Sequence, residues 1–174
     1  KFSLSTTHII LLSFFIAVLL GAVLLSLPIS SAKGEWTPFV DALFTSTTAT
    51  CVTGLVVLPT FSAWSTFGHI VILCLIQIGG LGVITVVSIL AIMFQRKMGL
   101  SARLLFQDSF NLNTLSGLSQ FVKKVVLGTF LVESIGALLY MTVFVPQFGL
   151  RGIWISVFTA ISAFCNAGID IIAP

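Results

Sequence analysis

The sequence predicts an all-α integral membrane protein built on a repeated unit: a membrane span, a half-length helix, a glycine-ended loop and a second span. Three observations carry this. Of 174 residues, 57% are hydrophobic and 7% charged, where a soluble domain carries about 25% charge. The apolar residues fall in runs long enough to cross a bilayer. The chain also matches itself at a shift of 114 residues, the separation of Gly54 from Gly168.

His8 to Leu27 is 20 residues without a formal charge at neutral pH, about 30 Å of helix and enough to cross a hydrocarbon core. A cleaved signal peptide would have a shorter apolar core of about 7–15 residues, and further spans follow, so a retained helix is expected. Pro28 stops that helix and begins an external loop in which Lys33, Glu35 and Trp36 suit the membrane–water interface. Pro38 to Ala49 is too short and too rich in hydroxyls to cross. Pro38 fits the first turn of a helix, where its missing N–H is not needed, and Asp41 favours the positive end of the dipole. The partially negative C-terminal end of this helix then points at Thr50-Cys51-Val52-Thr53-Gly54. A polar loop at this depth must be shielded from lipid, because hydrocarbon satisfies no backbone N–H or C=O.

Ser65 to Phe94 reads as a second span of 30 residues, about 45 Å and longer than the core it crosses. Its centre carries Gln77-Ile78-Gly79-Gly80-Leu81-Gly82. Gly79, Gly80 and Gly82 weaken the helix and admit another backbone, as a hinge, a contact for a pore loop or plain small-residue packing. Gln95 to Lys124 is the one sizeable polar connection, a plain loop or a docking segment for a cytosolic partner or anionic lipid. A third span, Phe121 to Val145, is expected to stop at Pro146. It carries Glu133, an intramembrane charge that needs either a basic partner or small polar neighbours. The expected organisation is a first repeat over 1–94, a cytoplasmic connection over 95–117, and the start of a second repeat over 118–174.

The net charge of +3 does not point to nucleic acid. Lys1, Arg96, Lys97, Arg103, Lys123 and Lys124 fall on one side of the spans, Lys33 and Arg151 on the other. That bias puts the N-terminus and the connection in the cytoplasm. Cys51, Cys74 and Cys165 are an odd number and suggest no disulfide framework. His8 and His69 lie far apart, with no metal-ligand spacing, and His69 is expected at the interface. No catalytic constellation is present, so no enzyme is expected.

The repeat decides the architecture. At the 114-residue shift Phe44 falls on Phe158, Thr45 on Thr159, Ala49 on Ala163, Cys51 on Cys165 and Gly54 on Gly168. The first span falls inside the third, so the units run parallel. Four such loops converging would offer rings of backbone carbonyls in place of a cation's hydration shell, as potassium channels do. Phe164-Cys165-Asn166-Ala167-Gly168 is then the second filter segment beside Thr50–Gly54. The chain holds about one and a half units of an expected four, which together need about 450 residues.

The stretches DALFTSTTATCVTGLVV (Asp41–Val57), LIQIGGLGVIT (Leu75–Thr85) and SAFCNAGID (Ser162–Asp170) resemble the Trk/Ktr/HKT superfamily of potassium transporters, and most of all its KtrB-type membrane subunits. The likeness runs over essentially the whole chain. It implies a single pore lined by four filter glycines, of which Gly54 and Gly168 match the first two. It implies potassium uptake across the bacterial cell membrane, often sodium-dependent or sodium-coupled, with K+ held by filter carbonyls and no covalent cofactor. It further implies a homodimer on a cytosolic KtrA-like ring, where any nucleotide (ATP, ADP or NAD) would bind. Beside this stand a tandem-pore cation channel of low selectivity, since TCVTG and FCNAG depart from TVGYG, and a membrane-embedded redox or structural subunit.

Overall fold

The computed structural model describes residues 6–82 and 118–172. The 95–117 connection and residues 83–94 of the expected second span lie outside the described residues, as do Lys1, Arg96, Lys97 and Arg103. The described chain is helical: α1 Thr6–Ser26, α2 Phe39–Thr50, the short α3 Thr60–Ala63, α4 Thr66–Leu81, α5 Leu118–Phe148 and α6 Leu150–Phe164. A single 3-10 turn, Pro28–Ser30, follows α1.

The distribution of side chains is the reverse of a soluble protein's. Leu11, Phe15 and Leu20 on α1 and Leu127, Leu138 and Leu139 on α5 are largely exposed. Ser30, Ser46, Thr48, Thr50, Ser156, Ser162 and Glu133 are buried. In lipid an apolar exterior costs nothing, and the interior is left to small and hydrogen-bonding residues that let helices approach. The buried hydroxyls are satisfied locally: Thr45 Oγ1 donates to the Asp41 carbonyl at 2.9 Å, Thr50 Oγ1 to Ser46 at 2.8 Å and Ser156 Oγ to Gly152 at 2.6 Å. Among the described residues one segment, Lys124–Phe148, is long and apolar enough to cross a membrane by itself. Leu11–Ser26, Thr66–Leu81 and Leu150–Phe164 are apolar but shorter.

The first unit is knitted at Gly21 of α1, where a β-carbon would collide with Ser46 Oγ of α2 and stand 2.7 Å from a Leu75 methyl of α4. Ser46 Oγ crosses to α1 and donates to the Val18 carbonyl at 2.7 Å. The loop after α1 is pinned by backbone bonds from Ala32 N–H to Ala63 (3.0 Å) and Ser65 N–H to Ser30 (2.8 Å). Ser65 also caps α4, its hydroxyl accepting from Gly68 N–H at 3.2 Å, as an N-cap serine should.

Two boundaries differ from expectation. The second span does not run as one helix to Phe94: α4 ends at Leu81, where Gly82 takes φ 79° and its N–H closes on the Gly79 carbonyl. Glycine is the residue that adopts such angles without a side-chain clash. The third span does not stop at Pro146 but continues to Phe148. Pro146 falls in the last turn, so its missing N–H interrupts a single intrahelical bond before the helix ends. The break comes instead at Gly149, with φ 60°, whose N–H bonds the Val145 carbonyl at 2.9 Å. His69, near the start of α4, is buried, with Nε2 2.8 Å from the Thr60 carbonyl and its ring edge-on to Phe158.

Candidate functional site

At the C-terminal end of α2 the chain leaves the helix through Cys51 and turns left-handed at Val52 (φ 56°) and Gly54 (φ 76°). At the end of α6 it leaves through Cys165 and turns left-handed at Asn166 (φ 59°) and Gly168 (φ 67°). A β-branched residue at positive φ is a steric outlier, held only when its surroundings over-determine it.

What holds both loops is the same set of bonds, displaced by the repeat. Thr53 N–H donates to the Thr48 carbonyl at 3.0 Å, and Ala167 N–H to the Ser162 carbonyl at 2.7 Å. Leu55 N–H donates to Thr48 Oγ1 at 2.9 Å, and Ile169 N–H to Ser162 Oγ at 3.1 Å. The two loops diverge at one hydroxyl. Thr48 Oγ1 shares a 2.6 Å bond with Thr53 Oγ1, whereas Ala167 stands at the equivalent place in the second loop and Ser162 Oγ donates to the Ile169 carbonyl instead. Thr48 and Ser162 were missed as site residues. They fall on one another at the 114-residue shift, a hydroxyl on a hydroxyl, but the backbone groups they bond lie seven residues downstream in a loop whose path the sequence does not give.

The two loops meet. A β-carbon on Gly54 would lie 2.8 Å from the Ala167 carbonyl oxygen and 3.5 Å from Gly168 Cα, and one on Gly168 would lie 3.6 Å from Gly54 Cα. Thr50 and Ala167 are buried, while Cys51, Thr53, Phe164, Asn166 and Gly168 are exposed along the paired segment. The end of α4 touches both loops. A β-carbon on Gly79 would collide with the Thr50 carbonyl oxygen, and one on Gly80 with Cys165 Sγ. Gly79 and Gly80 therefore lie at loop contacts inside a helix, and Gly82 ends that helix.

Glu133 is brought into the same region from α5. Gln77 Nε2 lies 2.9 Å from each carboxylate oxygen, and Gln77 Oε1 accepts from Cys165 Sγ at 3.4 Å. Its partner among the described residues is an amide from the first unit, not a basic side chain. The 56-residue separation of Gln77 and Glu133 carries no pattern that sequence alone exposes.

An apolar exterior, an interior of hydroxyls and glycines, and two similarly bonded helix–loop elements in contact fit an all-α membrane protein. The chain belongs to the TrkH family of cation transport proteins, which it matches over residues 1–173. It is therefore grouped with transporters and not with enzymes. It is 41% identical over 170 residues to the potassium/sodium uptake protein NtpJ of Enterococcus hirae, covering 97% of this chain and 38% of that protein. It is 42% identical over 166 residues to the Ktr system potassium uptake protein B of Bacillus subtilis, with 94% and 37% covered. To the protein of the same name from Vibrio alginolyticus it is 40% identical over 162 residues, with 92% and 35% covered. The chain thus spans less than two fifths of the length of these relatives.

Proposed function

We propose that this chain forms the first pore-loop repeat and the start of the second in a potassium uptake protein of the cell membrane, and that Thr50–Gly54 and Phe164–Gly168 are two of its filter segments. The observation that carries this is the pair of left-handed, glycine-ended loops, bonded alike and facing each other through Gly54 and Gly168. Positive-φ residues on either side of Thr53 and of Ala167 let successive carbonyls turn toward one side, which is how backbone replaces the hydration shell of an alkali cation. The negative ends of the α2 and α6 dipoles lie at the same loops and favour a cation there. The potassium uptake named in three relatives supplies the substrate.

Two further pore-loop repeats complete the pore in the full-length protein, which crosses the membrane several times with its N-terminus in the cytoplasm. The protein is a homodimer seated on a cytosolic nucleotide-binding ring.

The test is rubidium or potassium uptake by the full-length protein in potassium-starved cells, comparing wild type with Gly54→Ser. Serine places its β-carbon against the Ala167 carbonyl at a backbone angle L-residues avoid. The expected result is lower potassium affinity and weaker discrimination against sodium, with normal delivery to the membrane. Unchanged uptake at normal abundance would overturn the filter assignment.

A further inference from the structure

The buried carboxylate of Glu133 is not explained by a filter made of backbone. It sits on α5, is 5% exposed, and its two oxygens both face one nitrogen, Gln77 Nε2. An ionised carboxylate only accepts hydrogen bonds, whereas an amide both donates and accepts. Glu133 therefore dictates which way round the Gln77 amide lies. Its NH2 turns to α5, and its Oε1 accepts from the Cys165 thiol on the other side. With the opposite amide orientation two acceptors would face each other at Glu133, and the NH2 would meet only the weakly accepting sulfur of Cys165. Gly80, three residues and nearly one turn beyond Gln77, presses on the same cysteine from the helix surface: a β-carbon there would lie 2.6 Å from Cys165 Cβ. Cys165 is thus gripped from two points on α4, and it is the residue through which α6 hands over to the second left-handed loop.

We propose that Glu133 is a positioning residue for the second filter segment, acting through the orientation of Gln77 on Cys165, so that an intramembrane carboxylate of one repeat and an amide of the other jointly set the conformation of Phe164–Gly168. The proposal rests on the filter reading of that segment. It locates the control of ion affinity in a side-chain relay between repeats, outside the carbonyls themselves. Glu133→Gln keeps the shape but removes the constraint, because an amide at 133 can donate to Gln77 Oε1 and release the thiol.

The experiment is a double-mutant cycle on rubidium uptake by the full-length protein, reading apparent KM and maximal rate per molecule in the membrane for Glu133→Gln, Cys165→Ala and the pair. Loss of one hydrogen bond tied to a charged group predicts a rise in KM of about fivefold or more for Glu133→Gln. In the Cys165→Ala background the same substitution adds little, because its route to the filter is gone. A Glu133→Gln protein with wild-type KM, or with the same effect in both backgrounds, would overturn the relay. Should Glu133→Gln fail to reach the membrane, Cys165→Ala and Cys165→Ser decide. The serine hydroxyl can still donate to Gln77, so it must stay closer to wild type than alanine, and equal KM values for the two refute the proposal. Gly168→Ser, run alongside, separates this from a failure of the filter reading. If it too leaves uptake unchanged, Phe164–Gly168 is not a filter at all.

Discussion

Ser162 and Thr48 do the same work in two loops, yet their removal should not cost the same. Ser162 Oγ both accepts from Ile169 N–H and donates to the Ile169 carbonyl, and Ile169 is buried. In Ser162→Ala both backbone groups lose their partner away from water, at a cost of about 1–3 kcal/mol. Leu55, the residue that Thr48 serves, is 61% exposed, so in Thr48→Val its N–H can turn to water and the loss is smaller. Thermal melting of the purified protein should therefore rank Ser162→Ala well below Thr48→Val and wild type. Equal melting temperatures would mean the hydroxyls do not hold the loops. At this scale the sequence was partly legible. Gly54 and Gly168 stand out because backbone angle selects glycine, a local requirement that leaves a local mark. The hydroxyl pair and the Gln77–Glu133 bond depend on where distant segments come to rest, and no spacing within one helix encodes that.

Along the helices, α4 is where local propensity and tertiary contact oppose each other. Alanine is favoured over glycine inside a helix by roughly 0.5–1 kcal/mol, so Gly79→Ala and Gly80→Ala would stabilise an isolated α4. In the protein the added methyl at 79 meets the Thr50 carbonyl, and at 80 the Cys165 side chain, and overpacking of this kind costs about 1–3 kcal/mol. Contact should win. Gly79→Ala, which strikes backbone, is expected to be the worse of the two in both melting temperature and uptake. Gly128 supplies the control: it lies within α5 with nothing within 4 Å of a β-carbon, so Gly128→Ala should leave melting unchanged or raise it. A rise for all three would show that α4 does not press on the loops. The helices themselves were readable because apolar length and proline position are local. The first span and the half-length helix begin and end within two residues of expectation. The errors came at Leu81 and Pro146. There a left-handed glycine ended the helix earlier than apolar length suggested, and a proline near a helix end proved weaker punctuation than the glycine after it.

Across the whole molecule, charge and geometry agree on two ends. Ala32 bonds to Ala63, and Arg151 lies 4.5 Å from the ring of Phe61. Lys33, α3 and the start of α6 are thereby gathered at one end. Lys124 lies at the far end of α5, about 36 Å from Phe148 at the helical rise of 1.5 Å per residue. Both ends carry cations, Lys33 and Arg151 at one and Lys124 at the other. Number supplies the expectation: with six lysines and arginines expected on the Lys124 side against two on the Lys33 side, the positive-inside bias predicts that side in the cytoplasm. Cysteine labelling decides this. In intact cells a membrane-impermeant maleimide should modify Lys33→Cys, in an exposed loop, above the background set by the native thiols. Lys124→Cys should react only after the membrane is opened. The reverse pattern would invert the chain, and with it the sense of the loops. Gly54 and Gly168 would then be reached from the cytoplasm, and the loops would meet cytoplasmic cations first, the wrong side for the uptake that the filter reading requires.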